Sequence, residues 1–238
     1  LLGLVEAWEL QSLQFPRLSV IDPAFLTDAW FFIIRHGHVK ALKQLVGCQS
    51  QIDVLTSGNR GESALMLTVR TGAVAMCDIL LAHGANVHLA QAGSAIQPLM
   101  MVCMRREESA EEIAVNLQLC QRLLQAGALP VATTTNGWNA LMFAAAKGSL
   151  SLVQCLLEAG APVRAVNAQG LSAFQLADHH NHGAVCDCMA AHAVGRRRRG
   201  GGSTADSASV SGGDKDDDDG LLPMEAFQRM TVDANACL

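Results

Sequence analysis

An all-α solenoid of stacked helix-turn-helix units joined by short hairpin loops is the fold class this sequence predicts, and three observations predict it. One pattern of two short apolar runs, each stopped by a glycine, recurs along most of the chain. Aromatic residues make up only 4% of it and Tyr is absent, so the core must be built from Leu, Ala, Val, Met and Cys. That composition suits close helix packing better than a sheet sandwich, whose strands favour aromatic and β-branched residues. Each run is also too short to be a stable helix alone, since isolated helices below roughly 12 to 15 residues are marginal in water. Every copy therefore needs a neighbour.

The best-formed copy is Gly137 to Val163. Its first run, Leu141 to Ala146, stops at Gly148, where a residue without Cβ enters the left-handed conformation that ends a helix. Its second run places Leu152, Val153, Leu156 and Leu157 on one helical face and closes at Gly160. Gly61 to Val87 follows it nearly position for position: Leu65 matches Leu141 and Gly72 matches Gly148. A third unit begins at Gln97-Pro98-Leu99-Met100 and ends at Leu123 to Ala128. A last unit, Gly170 to Met189, carries Asn181 at the loop-glycine position, and Asn is the residue after Gly that best tolerates left-handed geometry. Upstream, Asp22-Pro23 reads as a helix start, with Trp30, Phe31 and Ile34 before Gly37 and a second helix from Val39 to Val46.

Leu65, Leu99, Leu141 and Phe174 are separated by 34, 42 and 33 residues. The long interval marks an insertion near 105–115. Ser109-Ala110-Glu111-Glu112 in it is a capping box, so the insertion is expected to lengthen a second helix, with Ile113, Leu117, Cys120 and Leu124 on its apolar stripe. A surface insertion is favoured over a dedicated contact.

A period near 33 with helix, turn, helix and hairpin resembles the ankyrin-repeat family. That family's Thr-Pro-Leu-His start appears as Ser63-Ala64-Leu65-Met66, Gln97-Pro98-Leu99-Met100, Asn139-Ala140-Leu141-Met142 and Ser172-Ala173-Phe174-Gln175. Its Gly-His turn survives as Gly37-His38, and its Leu-Leu-x-x-Gly-Ala ending is intact three times. The domain reading is an N-terminal capping segment over 1–21, about five ankyrin-like units over 22–194, and a low-complexity tail over 195–238. Gly195 is expected to end the last helix.

The tail holds Arg196 to Arg199, a Gly/Ser/Thr-rich run and the block Asp214 to Asp219, a composition that buries no core and is expected to be disordered. Within it, Leu222 to Met230 is a short helical pattern with Pro223 in its first turn; a frayed end is favoured over docking back on the repeats. The four arginines are read as solvated charge first and as a nuclear-import signal next; without interleaved aromatics they are weak evidence for nucleic-acid binding, which is not expected.

The resemblance implies a non-catalytic protein-protein interaction module or scaffold that meets another protein through hairpin tips and the concave helix surface. On this chain those places are Arg60, Glu62 and Arg70, then Met104 and Arg105, then Asn136, Trp138 and Lys147, then Gln169, His179 and His180. Trp138 has two readings, an exposed interface anchor or a ring packed against the neighbouring hairpin through Thr134 or Leu171.

The rival reading is a metal- or redox-responsive protein. His182 and Cys186 are four apart, as are Cys188 and His192, within a His/Cys cluster over 179–192 that could offer nitrogen and sulfur ligands. The repeat alignment opposes it, because Cys77, Cys120, Cys155, Cys186 and Cys188 fall on inward positions, where a thiol is a small hydrophobe. A further alternative is the recognition region of a larger enzyme or ubiquitin-ligase adaptor. No phosphate-binding glycine loop, His-Glu-x-x-His helix or Gly-x-Ser-x-Gly elbow occurs, so no catalytic residue, metal ion or cofactor is expected.

No apolar run approaches the roughly 20 residues of a membrane helix, and the net charge of -5 selects no partner class. A soluble monomer is expected, cytoplasmic or nuclear. The absence of an initiator Met points to a fragment or a processed chain.

Overall fold

The computed structural model describes residues 23–48, 52–53 and 61–199. The capping segment 1–21, Arg60 and the expected disorder beyond residue 199 lie outside the described residues. Among the described residues five helix pairs succeed one another: α1 (Pro23–Arg35) and α2 (Val39–Cys48), α3 (Ala64–Thr71) and α4 (Val74–Ala82), α5 (Pro98–Met104) and α6 (Ala110–Gln125), α7 (Ala140–Lys147) and α8 (Leu150–Glu158), α9 (Ala173–His179) and α10 (Gly183–Arg199).

The helices are short because their ends are written into the sequence. The Ser63 side chain accepts from Met66 N–H at 3.2 Å and Asn139 Oδ1 accepts from Met142 N–H at 2.9 Å, each satisfying an orphan amide of the first turn. Ser172 and Gln175 form a full capping box at the start of α9. Pro98 opens α5, where its missing N–H costs nothing. At the far ends, Gly72 and Gly148 take φ of 78° and 79°, and the next amides reach back to Thr68 O and Ala144 O, each at 3.0 Å. Asn181 does the same work at φ 59°, with His182 N–H on Ala177 O at 2.8 Å.

First helices stack on first helices (α1, α3, α5, α7, α9) and second helices on second helices (α2, α4, α6, α8, α10). Two layers enclose one continuous core that runs from Trp30, Ile33 and Leu45 through Leu65, Met100 and Phe143 to Leu176 and Met189. Hairpins project between units. Two carry isolated antiparallel bridges, Thr133 with Asn139 and Val166 with Ser172. Among the described residues no helix is long and apolar enough to cross a membrane.

Three expectations change. The insertion does lengthen a second helix, and the Ser109–Glu112 capping box is formed. Its buried face, however, is Asn116, Leu119, Cys120 and Leu123, whereas Ile113 is exposed. The 16-residue α6 outruns its nine-residue neighbours α4 and α8, so no neighbouring helix among the described residues covers its first turn. The last helix does not stop at Gly195: α10 continues to Arg199, which carries the helical backbone past the expected boundary of the tail. Of the cysteines placed inward, Cys77 and Cys120 are fully buried, but Cys155, Cys186 and Cys188 are only half-buried against the core.

Candidate interaction surface

The hairpins and the first-helix termini hold the residues expected to meet a partner, and the structure divides these residues into two groups. Glu62, Arg70, Met104 and Trp138 are buried. Glu62 and Arg70 pair with each other at 3.2 Å beneath the surface, and Met104 belongs to the core. Trp138 keeps only 6% of its surface exposed. Its ring packs on Phe143 with centroids 5.0 Å apart, and its amide donates to Thr134 Oγ1 at 3.1 Å. The exposed-anchor reading of Trp138 is therefore corrected: residues 134 to 139 form a closed hairpin corner, and the indole fills the gap between that corner and α7.

Arg105 and Lys147 are half-buried and belong to a polar seam between units. Arg105 donates through Nε to Asn116 Oδ1 at 2.6 Å and through Nη1 to Val69 O at 2.6 Å and to Arg70 O. It thus supplies donors to the carbonyl end of α3, where a cation is also favoured by the helix dipole. A Cβ on Gly72 would stand 2.6 Å from Arg105 Nη2, so the guanidinium lies directly on that glycine.

The interface between the fourth and fifth units repeats the device with a different side chain. His182 Nε2 is 3.1 Å from Ala146 O, donating to it, and its ring lies over Gly148, where a Cβ would come within 2.5 Å of Nδ1.

Sequence reasoning missed the other members of the seam. Asn116 is fully buried and donates to Arg106 O at 2.9 Å and to Glu107 Oε1 at 3.3 Å. Glu107 also accepts from Ser149 Oγ at 2.9 Å and lies 3.8 Å from Lys147 Nζ. Burial, opposed by Glu107, holds the Lys147 amine below the usual lysine range. The loop 105–108 is thereby tied to α6, α7 and α8, and its residues act in stacking. A signal was present in the sequence: Asn116 is an amide in the middle of an otherwise apolar helical stripe, a position that demands hydrogen-bond partners when buried.

Asn136, Gln169 and His179 are exposed and His180 is half-exposed. The hairpins that carry the first two are locked to one another through the backbone. Thr135 N–H donates to Ser94 O at 3.2 Å, and Ala168 N–H donates to Asn136 O at 3.0 Å. Gly137 permits the second approach, since a Cβ there would stand 3.1 Å from Ala168 N. The result is a continuous hairpin edge that presents Leu129, Val131, Asn136 and Gln169 to solvent.

Two family models match this architecture, one described as ankyrin repeats in many copies over residues 123–177 and one as a single ankyrin repeat over residues 60–91. A curated relative, "Ankyrin repeat protein nuc-2" of Neurospora crassa, is 30% identical over 173 residues, covering 72% of this chain and 15% of that protein. The chain is an ankyrin-repeat protein. It spans about a seventh of the length of that relative. Ankyrin repeats generally mediate protein-protein interaction, and the matched spans take in α3, α4, α7, α8 and most of α9.

Several side chains of the His/Cys cluster at the last ankyrin unit have partners of their own. Among the described residues no group of three or more His, Cys, Asp or Glu side chains converges on one point. His182 is committed to Ala146 and Gly148, and Cys186 turns its thiol toward Phe174 O at 3.9 Å. His179 and His180 meet edge to face with centroids 5.0 Å apart.

Proposed function

We propose that this chain is a non-catalytic interaction module whose protein partner is gripped along the hairpin edge and the adjoining concave ends of the first helices. The observation that carries this reading is the backbone-locked row of hairpins presenting Leu129, Val131, Asn136 and Gln169. A row fixed before binding loses little ordering entropy when a partner arrives, so a modest exposed area is used efficiently. Exposed aliphatic side chains next to amides offer apolar contact with hydrogen-bonding specificity around it. Glu62, Arg70, Met104 and Trp138 act beneath that surface by holding it in shape, and Arg105 and Lys147 by fixing the stack. We assign the module to a monomer in the cytoplasm, with Arg196 to Arg199 as the segment that would direct nuclear import.

Affinity capture from a cell extract with the wild type and with Val131→Glu plus Asn136→Lys tests this. The variant is expected to lose a defined set of partners while its far-UV circular dichroism stays unchanged. Identical partner sets would remove the hairpin edge from consideration.

A further inference from the structure

Among the described residues the stack ends at α9 and α10, with a face that in the three preceding units is covered by the next unit. Leu65, Leu99 and Leu141, at the start of the first helix in successive units, are 1%, 1% and 0% exposed; Phe174 at the equivalent place is 42% exposed. Beside it lies a groove of about 430 Å³ lined by Val166, Phe174, Met189 and Ala193, with Arg164 and Gln175 among its polar lining. Solenoid ends require a covering element with a polar outer side, because an open end leaves the apolar stacking face in water. Nothing among the described residues covers this one.

We propose that residues 221–230 of this same chain dock in that groove as its cap. Three observations select this occupant. First, the segment has the right chemistry: at helical spacing Met224, Phe227 and Met230 share one face behind Pro223 in the first turn, and methionine adapts to irregular apolar gaps. Second, the tether fits. The helix carries the chain from Ala193 to Arg199, a rise of about 9 Å. Residues 200–220 are rich in Gly, Ser and Asp, and a Gly/Ser-type chain of that length has a root-mean-square reach of about 25 Å. The segment can therefore return to the groove, at an effective concentration in the millimolar range.

Third, the charges complement one another. Arg164 lines the groove and Glu225 flanks the apolar face of the segment. The linker carries Asp214 and Asp216 to Asp219, while α10 ends in Arg196 to Arg199, so attraction draws the linker back along the helix until salt screens it. A docked segment would keep a separate protein off the end of the stack until it is displaced.

Hydrogen exchange on the full chain tests the proposal, comparing wild type with Met224→Glu plus Phe227→Glu, changes that leave every residue of α1 to α10 untouched. Amides of Ser172 to Gln175 and Met189 to Ala193 are expected to exchange about tenfold faster in the variant, the factor expected when the tethered concentration is about ten times Kd. Arg164→Glu alone should weaken the protection, and adding Glu225→Arg should restore it. Equal exchange in wild type and variant overturns the proposal. Protection that rises with protein concentration also overturns it, assigning the groove to a second copy.

Discussion

Replacing Arg105 by Met isolates what the polar seam contributes to stacking. Methionine keeps most of the apolar stem but removes three donations, to Asn116 Oδ1, Val69 O and Arg70 O. Hydrogen bonds with a charged donor contribute about 1.5–3 kcal/mol net, and a buried acceptor left without a donor costs about 1–3 kcal/mol. The two α3 carbonyls lie at a helix end that water can reach once the guanidinium is gone, so their loss is partly compensated. Asn116 is fully buried and its Oδ1 has no such recourse. The expected cost is about 3 kcal/mol. The share from the α3 carbonyls falls on the interface between the second and third units, since each unit contacts only its neighbours, and the share from Asn116 falls on the α5–α6 corner of the third unit.

Urea unfolding followed by far-UV circular dichroism should then show an early phase, with hydrogen exchange quickened first in α3. Arg105→Lys keeps the charge but replaces the planar fork with a point donor, so it should lie between wild type and Arg105→Met. A Met variant within about 1 kcal/mol of wild type, or equal to the Lys variant, refutes the argument that the fork's geometry holds the interface.

Other predictions follow from the same geometry. Trp138→Ala should cost about 3–5 kcal/mol, as aromatic truncations in cores do, and should reduce all partner binding through unfolding; selective loss of one partner with full helicity would restore the exposed-anchor reading. Burial pushes the Cys77 and Cys103 thiols up to about 12, whereas the Cys120 S–H draws half-buried Cys155 below the usual thiol range. Alkylation at about pH 8 read by peptide mass spectrometry should therefore label Cys155 well before Cys103, and equal rates would contradict this. Burial, then the neighbouring His179 and His182, hold His180 below the ordinary histidine range. The unfolded chain takes up that proton first as pH falls, so stability should drop as pH passes downward through about 6.5, and His180→Asn should flatten that part of the curve.

The sequence by itself determined the repeat. Glycines with positive φ at positions 72 and 148, Asn at 181 and side-chain caps at 63, 139 and 172 are local devices. Each acts within a few residues of chain, so each is legible without a fold. The lengthened α6 was legible for the same reason, because its capping box closes within four residues. The alternation of two short apolar runs then forces stacking, since neither helix is stable alone.

Only the tertiary structure decided which side chains face a partner. Glu62 and Trp138 occupy turn positions that look solvent-facing in sequence, yet a hairpin folds back on its own helix and buries them. Arg105 and His182, 77 residues apart, perform one task at two interfaces, between the second and third units and between the fourth and fifth, and nothing in their neighbouring sequence relates a guanidinium to an imidazole. The buried partners of Arg105 come from α3 and from Asn116 in the next helix, and that convergence exists only once the units are stacked. Exposure at Phe174 is likewise a property of position in the stack: the same place in the repeat is sealed wherever another unit follows.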